Sequence, residues 1–282
     1  MTVEYTADLA GFKSGGVNFK LTLWDPKQNG LRYLKALTFC LAARLRTVDR
    51  ERLSRIRNRD VGDPITVRYD GEDICMDYLR AVLEVDFMAG VLDLDGARVV
   101  EIGAGYGRTC HAIMSNYDVA EYHIVERDDM LQLSRAYLRA VLDADQFAKL
   151  SFHTVTDIGD TFPRDADLAI NIDSFAVMEE GTVRNYLSLI EERCRVFYVN
   201  GPVGKYLDKN LDNHSQGAEM VAKALNGGLL REVLDIYDSE AVAAQSAKFR
   251  AVYLPGPRWE RVADAPTSTW SHYWQAAYRR VG

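Results

Sequence analysis

Between residues 31 and 45 the apolar positions Leu31, Leu34, Leu37, Leu41 and Leu45 recur at helical spacing, which predicts an amphipathic helix behind the turn signal "WDPKQNG". The charge-dense "TVDRERLSRIRNRDVGDP" reads as a solvated helix that closes on a turn at Gly62, Asp63 and Pro64. A second helical pattern, "MDYLRAVLEVDFMAGVLDL", leads into "ARVVEIG", the first run with the character of a buried strand.

From there the pattern alternates. Strands are predicted at 98–102, 122–126, 150–155, 167–172 and 196–201, with helices at 107–116, 128–143 and 179–193. Short apolar runs separated by helical periods predict a parallel sheet covered on both faces, a doubly wound, Rossmann-like α/β domain. Beyond it come a helix around 215–225, two expected closing strands in "LLREVLDIYD" and "KFRAVYLPG", and a Trp-rich tail. The expected division is an N-terminal helical lid over 1–92 and a ligand-binding core over 93–282.

Composition narrows the function. The 282 residues carry a formal charge of −7, so a phosphate-coating basic face and a nucleic-acid partner are not expected, and a small-molecule acceptor is. Four cysteines, Cys40, Cys75, Cys110 and Cys194, lie scattered without a C-x-x-C pair, the usage of reduced thiols in a cytoplasm. The N-terminus lacks a basic segment followed by an apolar run, and no stretch approaches a membrane span, so neither a signal peptide nor a membrane partner is expected. No His, Cys or acid spacing suggests a metal; a homodimer is compatible with the sequence.

The chemistry concentrates at strand ends, where ligands sit in open α/β sheets. "VVEIGAGYGRTC" places Gly103, Ala104, Gly105 and Gly107 directly after the first strand, a floor on which a cofactor can rest because glycine turns sharply and lacks the Cβ that holds a ligand away. A dinucleotide fingerprint would carry its third glycine at 108, where this chain has Arg108. Glu126, followed by Arg127, ends the second strand, where a carboxylate accepts hydrogen bonds from a ribose diol. Thr156, Asp157 and Ile158 follow the third strand and are placed to flank an adenine. Glu101 precedes the glycine turn, where it would repel a pyrophosphate and welcome a ligand with an ammonium and a sulfonium, so the expected cofactor is S-adenosyl-L-methionine rather than a nicotinamide.

E-x-G-x-G-x-G on strand one with an acid ending strand two resembles the class I S-adenosylmethionine-dependent methyltransferases. Within them, "VGDPITVRYDGEDICMDYLRAVLEVDFM", "VVEIGAGYGR", "DLAINIDSFAVM" and "RVFYVN", over roughly residues 60 to 200, are similar to the sugar O-methyltransferase group of bacterial natural-product clusters. The resemblance implies a class I methyltransferase fold, a methyl donor of that type, a sugar or other secondary-metabolite acceptor and a place in antibiotic biosynthesis. The chain departs from the group at Ala176, Val177 and Met178, where the group reads Gln-Glu-Met, and at Glu126, Arg127 and Asp128, where it reads Asp-Leu-Pro.

The loop after strand four faces the methyl group in such a fold, and it offers Asn171 and Asp173, with Glu179 and Glu180 just beyond. For an alcohol acceptor, Asp173 or His214 would serve as base. For an amine or guanidinium such as arginine, Asp173, Glu179 and Glu180 would hold the cation. Glu179 and Glu180 also suit the start of a helix. His111 is expected on a solvated helix face, His123 and His153 as structural strand residues, and His272 among aromatics. Phe19, Trp24, Tyr33, Arg68 and Tyr78 are the lid residues placed to meet an acceptor.

Overall fold

Seven strands of the chain assemble into one sheet. The computed structural model describes residues 26–155, 162–207 and 217–282. A short hairpin, β1 (Thr66–Tyr69) and β2 (Glu72–Cys75), precedes the sheet, whose strands are β3 (Arg98–Ile102), β4 (Glu121–Glu126), β5 (Leu150–Thr154), β6 (Ala166–Ile172), β7 (Cys194–Pro202), β8 (Trp259–Pro266) and β9 (Tyr273–Arg280). Their order is β5-β4-β3-β6-β7-β9-β8. The first five are parallel, and β9 runs antiparallel to both β7 and β8. The chain winds outward from β3 to β5, then returns beside β3 as β6, so the strand order reverses between β3 and β6. A crevice opens at the carboxyl ends of the strands at such a point.

Alternation sorts the strand side chains into two cores. Val99, Tyr122, Ile170 and Tyr198 pack with Leu79, Val82 and Val85 of a helix over Met76–Ala89. Val100, Ala169, Phe197 and Val199 pack on the opposite face with Val183, Tyr186 and Ile190 of a helix over Glu180–Arg193. The helices are numbered in chain order: α1 (Pro26–Ala42), α2 (Thr47–Arg55), α3 (Met76–Ala89), α4 (Arg108–Met114), α5 (Asp128–Val141), α6 (Ala144–Ala148), α7 (Glu180–Arg193), α8 (Gly217–Asn226) and α9 (Ser239–Val252). Residues 42–92, expected within the lid, share one continuous core with the sheet.

The closing strands are not those expected from the sequence. In "LLREVLDIYD" Val233 forms a single bridge with Lys205, and most of "KFRAVYLPG" lies in α9 or the turn after it. The Ala-rich run before it favours helix, and Asp238 caps it by accepting from the amides of Glu240 and Ala241. The Trp-rich tail supplies β8 and β9 instead; its short aromatic runs are broken by small and charged residues, and that disguised their period of two.

One buried carboxylate ties the helical layer to the strand ends. Glu84 of α3 accepts from Arg108 Nη2 at the start of α4 (2.6 Å) and from Asn200 Nδ2 near the end of β7 (3.0 Å). Arg108 also donates to the Asp77 carbonyl (3.1 Å). Arg108→Met strands a buried charge, so it is expected to lower unfolding stability in urea by about 3–5 kcal/mol, and adding Glu84→Met is expected to recover most of that loss. Equal stability of the single and double variants would show that the loss does not come from a stranded Glu84 charge.

Candidate functional site

The three glycines after β3 serve different ends. Gly103 (φ +74) must lack a side chain because its Cβ would lie 2.1 Å from Ser174 Oγ. Gly107 (φ +97) starts α4, and its Cβ would lie 2.8 Å from Leu138. Gly105 (φ +57) has nothing within 4 Å of that position, so the turn presents bare backbone to open space there alone. Ala104 is buried beneath, and its carbonyl accepts from the Gly107 amide.

Glu126 closes on this turn from the neighbouring strand. Its Oε2 accepts from the Gly105 amide (3.0 Å) and its Oε1 from the Arg127 amide (2.9 Å). Both oxygens keep further lone pairs, and the side chain is only half-buried. Arg127 contributes that amide, while its guanidinium pairs with Asp129 in solvent.

Glu101 is placed differently from the expectation that it greets a ligand's charge. It is 2% exposed and accepts from the Tyr122 hydroxyl (2.7 Å). Burial pushes its carboxyl up to about 7, against the opposing pull of Tyr122, Arg108 and Thr109.

The "NIDS" sequence after β6 is one device. Asn171, 1% exposed, donates to the Ile102 carbonyl (2.9 Å) and to Ser174 Oγ (2.6 Å), while its Oδ1 accepts from the Phe175 amide (3.2 Å). Ser174 in turn donates to Ile102 (3.1 Å). Asn171 therefore uses its amide to lash β6 to β3 instead of reaching a ligand. The lashing thrusts out Asp173 in a left-handed conformation (φ +66), a strain of about 1–3 kcal/mol held by its own amide on the Asn200 carbonyl (2.9 Å). Such strain gathers at functional sites. Arg80 of α3 approaches the Asp173 carboxylate (3.4 Å) and lies over the Tyr273 ring. Burial and the Asp173 charge raise the Tyr273 phenol well above its usual range. Lys205 braces the loop by donating to the Ala176 carbonyl (2.6 Å), with its pKa lowered by burial.

Glu179 and Glu180 do not join this cluster. Glu179 is exposed at the N-cap of α7, and Glu180 accepts from Arg184 (2.7 Å) and Arg231 (3.1 Å), which holds its carboxyl below the ordinary range. His214, Thr156, Asp157, Ile158, Phe19 and Trp24 lie outside the described residues. His111 is fully buried rather than solvated: it meets the Tyr78 hydroxyl (2.5 Å), which also bonds Tyr137, and burial lowers its pKa to about 4. That also commits Tyr78 to the core. Arg68 stands on β1, opposite Asp73 in the hairpin, and α1 carries Tyr33. His123 and His153 stack on β4 and β5, and His272 packs between Tyr206 and Tyr273.

Sequence reading missed Arg80, Glu84, Asn200 and Tyr273. One signal was available: Arg80 and Glu84 are charges four apart inside the otherwise apolar "LRAVLEV", on a helix that has to be buried. Among the described residues no three His, Cys, Asp or Glu side chains gather as a metal site, and no helix is long and apolar enough to cross a membrane.

No family model and no curated protein matches the chain. Solved structures of similar fold include the mitomycin 7-O-methyltransferase MmcR (16% identity, 71% of this chain and 53% of that one, TM-score 0.48). Others are the methyltransferase domain of bacterial CtHen1 (13%, 71% and 97%, 0.49) and a family 2 O-methyltransferase from Planctomyces limnophilus solved with apigenin (13%, 73% and 58%, 0.49). The match spans little more than half of the first and third. At these identities the functional reading rests on the strand-end geometry.

Glu101 gives a test of this geometry. A carboxyl whose folded pKa is raised from 4.5 to about 7 adds stability that is fully present below pH 4.5 and is lost as pH rises through 7. Wild type is expected to lose on the order of 3 kcal/mol relative to Glu101→Gln between pH 4.5 and 8 in denaturant titrations. A constant difference would mean that the carboxylate is ionised throughout.

Proposed function

We propose that the protein is an S-adenosylmethionine-dependent methyltransferase that methylates an oxygen of a small polar acceptor, in line with the sugar or secondary-metabolite acceptor that the sequence resemblance implies. One contact carries the cofactor choice: the Gly105 amide donates to Glu126. In a dinucleotide site that turn and the following helix start would face a pyrophosphate. Here the amide is taken by a carboxylate whose charge repels phosphate and whose remaining lone pairs suit a ribose diol. An adenosyl group without phosphates fits; Gly105, Glu126 and the Arg127 backbone are the residues that would hold it.

Bound there, the cofactor supplies an electrophilic methyl group. The chain's own residues have to place an acceptor oxygen and take its proton. Asp173 suits that role, because it follows the end of the strand next to the glycine turn in a strained conformation, with the Arg80 guanidinium 3.4 Å from its carboxylate. Support for oxygen over a cationic nitrogen comes from the same contacts, because Glu180 is already neutralised by two arginines and Asp173 by one.

Calorimetric titration with S-adenosylhomocysteine tests the cofactor. Micromolar binding is expected, with none for NAD, and Glu126→Ala is expected to weaken it more than about tenfold, a cost of roughly 1.4 kcal/mol. Binding of NAD alone would overturn the reading, and an unchanged affinity in Glu126→Ala would remove Glu126 from the site.

A further inference from the structure

α3 crosses the carboxyl ends of the strands with a charged stripe. Asp77, Arg80 and Glu84 stand three and four residues apart, so they share one face of the helix. Each meets a different strand end: Asp77 meets Tyr106 of the glycine turn after β3 (3.1 Å), Arg80 meets the Asp173 that follows β6 (3.4 Å), and Glu84 meets Asn200 near the end of β7 (3.0 Å). Those three strands are neighbours in that order. Seven helical residues rise about 10 Å, which is also about the width of two strand spacings, so the stripe and the strand ends match in length.

The three charges are not equally satisfied. Arg80 lies between two carboxylates, 3.4 Å from Asp173 and 3.6 Å from Glu84. Glu84 has Arg108 as well (2.6 Å). Asp77 is exposed, and among the described residues its carboxylate meets only the neutral Tyr106 hydroxyl, through Oδ2. Arg108 passes close by, yet it bonds the Asp77 carbonyl (3.1 Å) and gives its other arm to Glu84. Oδ1 of Asp77 is left without a protein partner.

Tyr106 fixes where this carboxylate stands. Its ring meets Tyr137 of α5 edge-on, with centroids 4.9 Å apart, and its backbone lies between Gly105 and Gly107, so the hydroxyl is anchored to the turn itself. Burial first, and then the Asp77 charge, raises the phenol well above its usual range, so it keeps its proton and donates. The turn therefore has an acid on either side. Glu126 comes from β4 to the Gly105 amide, and Asp77 comes from α3 to the hydroxyl of the very next residue.

Charge indicates what the second acid takes. Glu101, which the sequence suggested for a ligand's ammonium, is buried on Tyr122. A ligand that lays an ammonium beside the bare backbone of Gly105 still needs an anion, and Asp77 is the acid of the stripe that no cation holds. The start of α3 adds roughly half a positive charge, which a full carboxylate outweighs, and an anionic group at the same place would be repelled.

We infer that Asp77, held in place by Tyr106, binds the amino group at the methionyl end of the donor, while Glu126 takes the ribose. The identity of the donor rests on the methyltransferase reading; the preference of Asp77 for a cation rests on the contacts of α3.

Calorimetric titration of the full chain with three adenosyl probes tests it. They are S-adenosylhomocysteine, 4-(5′-adenosylthio)butanoate, which is the same molecule without its amino group, and 5′-methylthioadenosine, which lacks the whole amino-acid end. Wild type is expected to bind the first at least about tenfold more tightly than the other two. Asp77→Asn removes the charge at nearly constant shape, and it is expected to abolish that preference by weakening S-adenosylhomocysteine without weakening the other probes. Tyr106→Phe is expected to reduce the preference less, because the acid stays and only its tether is lost. Glu126→Ala is expected to weaken all three alike. Equal wild-type affinity for S-adenosylhomocysteine and its deaminated analogue would overturn the inference, and so would a loss in Asp77→Asn that is absent or the same for all three probes; either result would leave the adenosyl site in place. Failure of every adenosyl probe to bind wild type would instead overturn the methyltransferase reading, and the ammonium site with it.

Discussion

The Glu84 carboxylate is the contact on which the candidate site depends. It is buried in α3, and it joins Arg108 at the start of α4 to Asn200 near the end of β7. Burial raises its pKa, while the two guanidiniums beside it, Arg108 and then Arg80, pull the other way. A buried ion pair is not a cheap source of stability, because desolvation offsets most of the attraction. What it contributes here is registry. α3 cannot slide along the sheet without separating Glu84 from both partners, and α3 carries Arg80 to Asp173. The identity of residue 108, which breaks the dinucleotide glycine pattern, has the same cause: position 108 must send a cation back into α3.

A second constraint works at the β3–β6 junction. Asn171 and Ser174 both bond the last carbonyl of β3, and Ser174 sits where only a glycine at 103 admits it. These residues lie far apart in sequence yet form one joint, which forces Asp173 into a backbone conformation a non-glycine residue rarely adopts. The joint stiffens the floor of the crevice, and the strain it creates projects a carboxylate beyond the strand end. A site is more precisely held when its reactive group is set by strand ends than by a loop alone.

Much of this was legible in the sequence, for a physical reason. Strands buried on both faces read as continuous apolar runs, so β3 to β7 were found to within a residue or two, and the glycine turn and Glu126 follow from the chemistry of strand ends. Partners separated by long stretches of chain were not legible: nothing local in "LRAVLEV" says that Glu84 will meet Arg108 and Asn200. Glu101 and Asn171 illustrate the converse. Both residue types suit a ligand at those positions, yet a hydroxyl on β4 takes up the first and a carbonyl on β3 the second. The last two strands fail differently, since β8 and β9 are partly exposed and their alternation is diluted by charged and small residues.

The topology also divides the labour of the crevice. The proposed donor side is built from β3, β4 and the glycine turn, all within a stretch of about thirty residues. The opposite side is assembled from α3, the loop after β6, the end of β7 and the β8–β9 turn, which are distant in sequence and meet only in the finished fold. Changes in the β8–β9 turn therefore alter that side of the crevice without touching the Gly105–Glu126 contact. A fixed turn chemistry on one side with an exchangeable turn on the other is how one sheet serves many acceptors with a single donor. In this chain the exchangeable turn carries the hydroxyls of Thr267, Ser268 and Thr269.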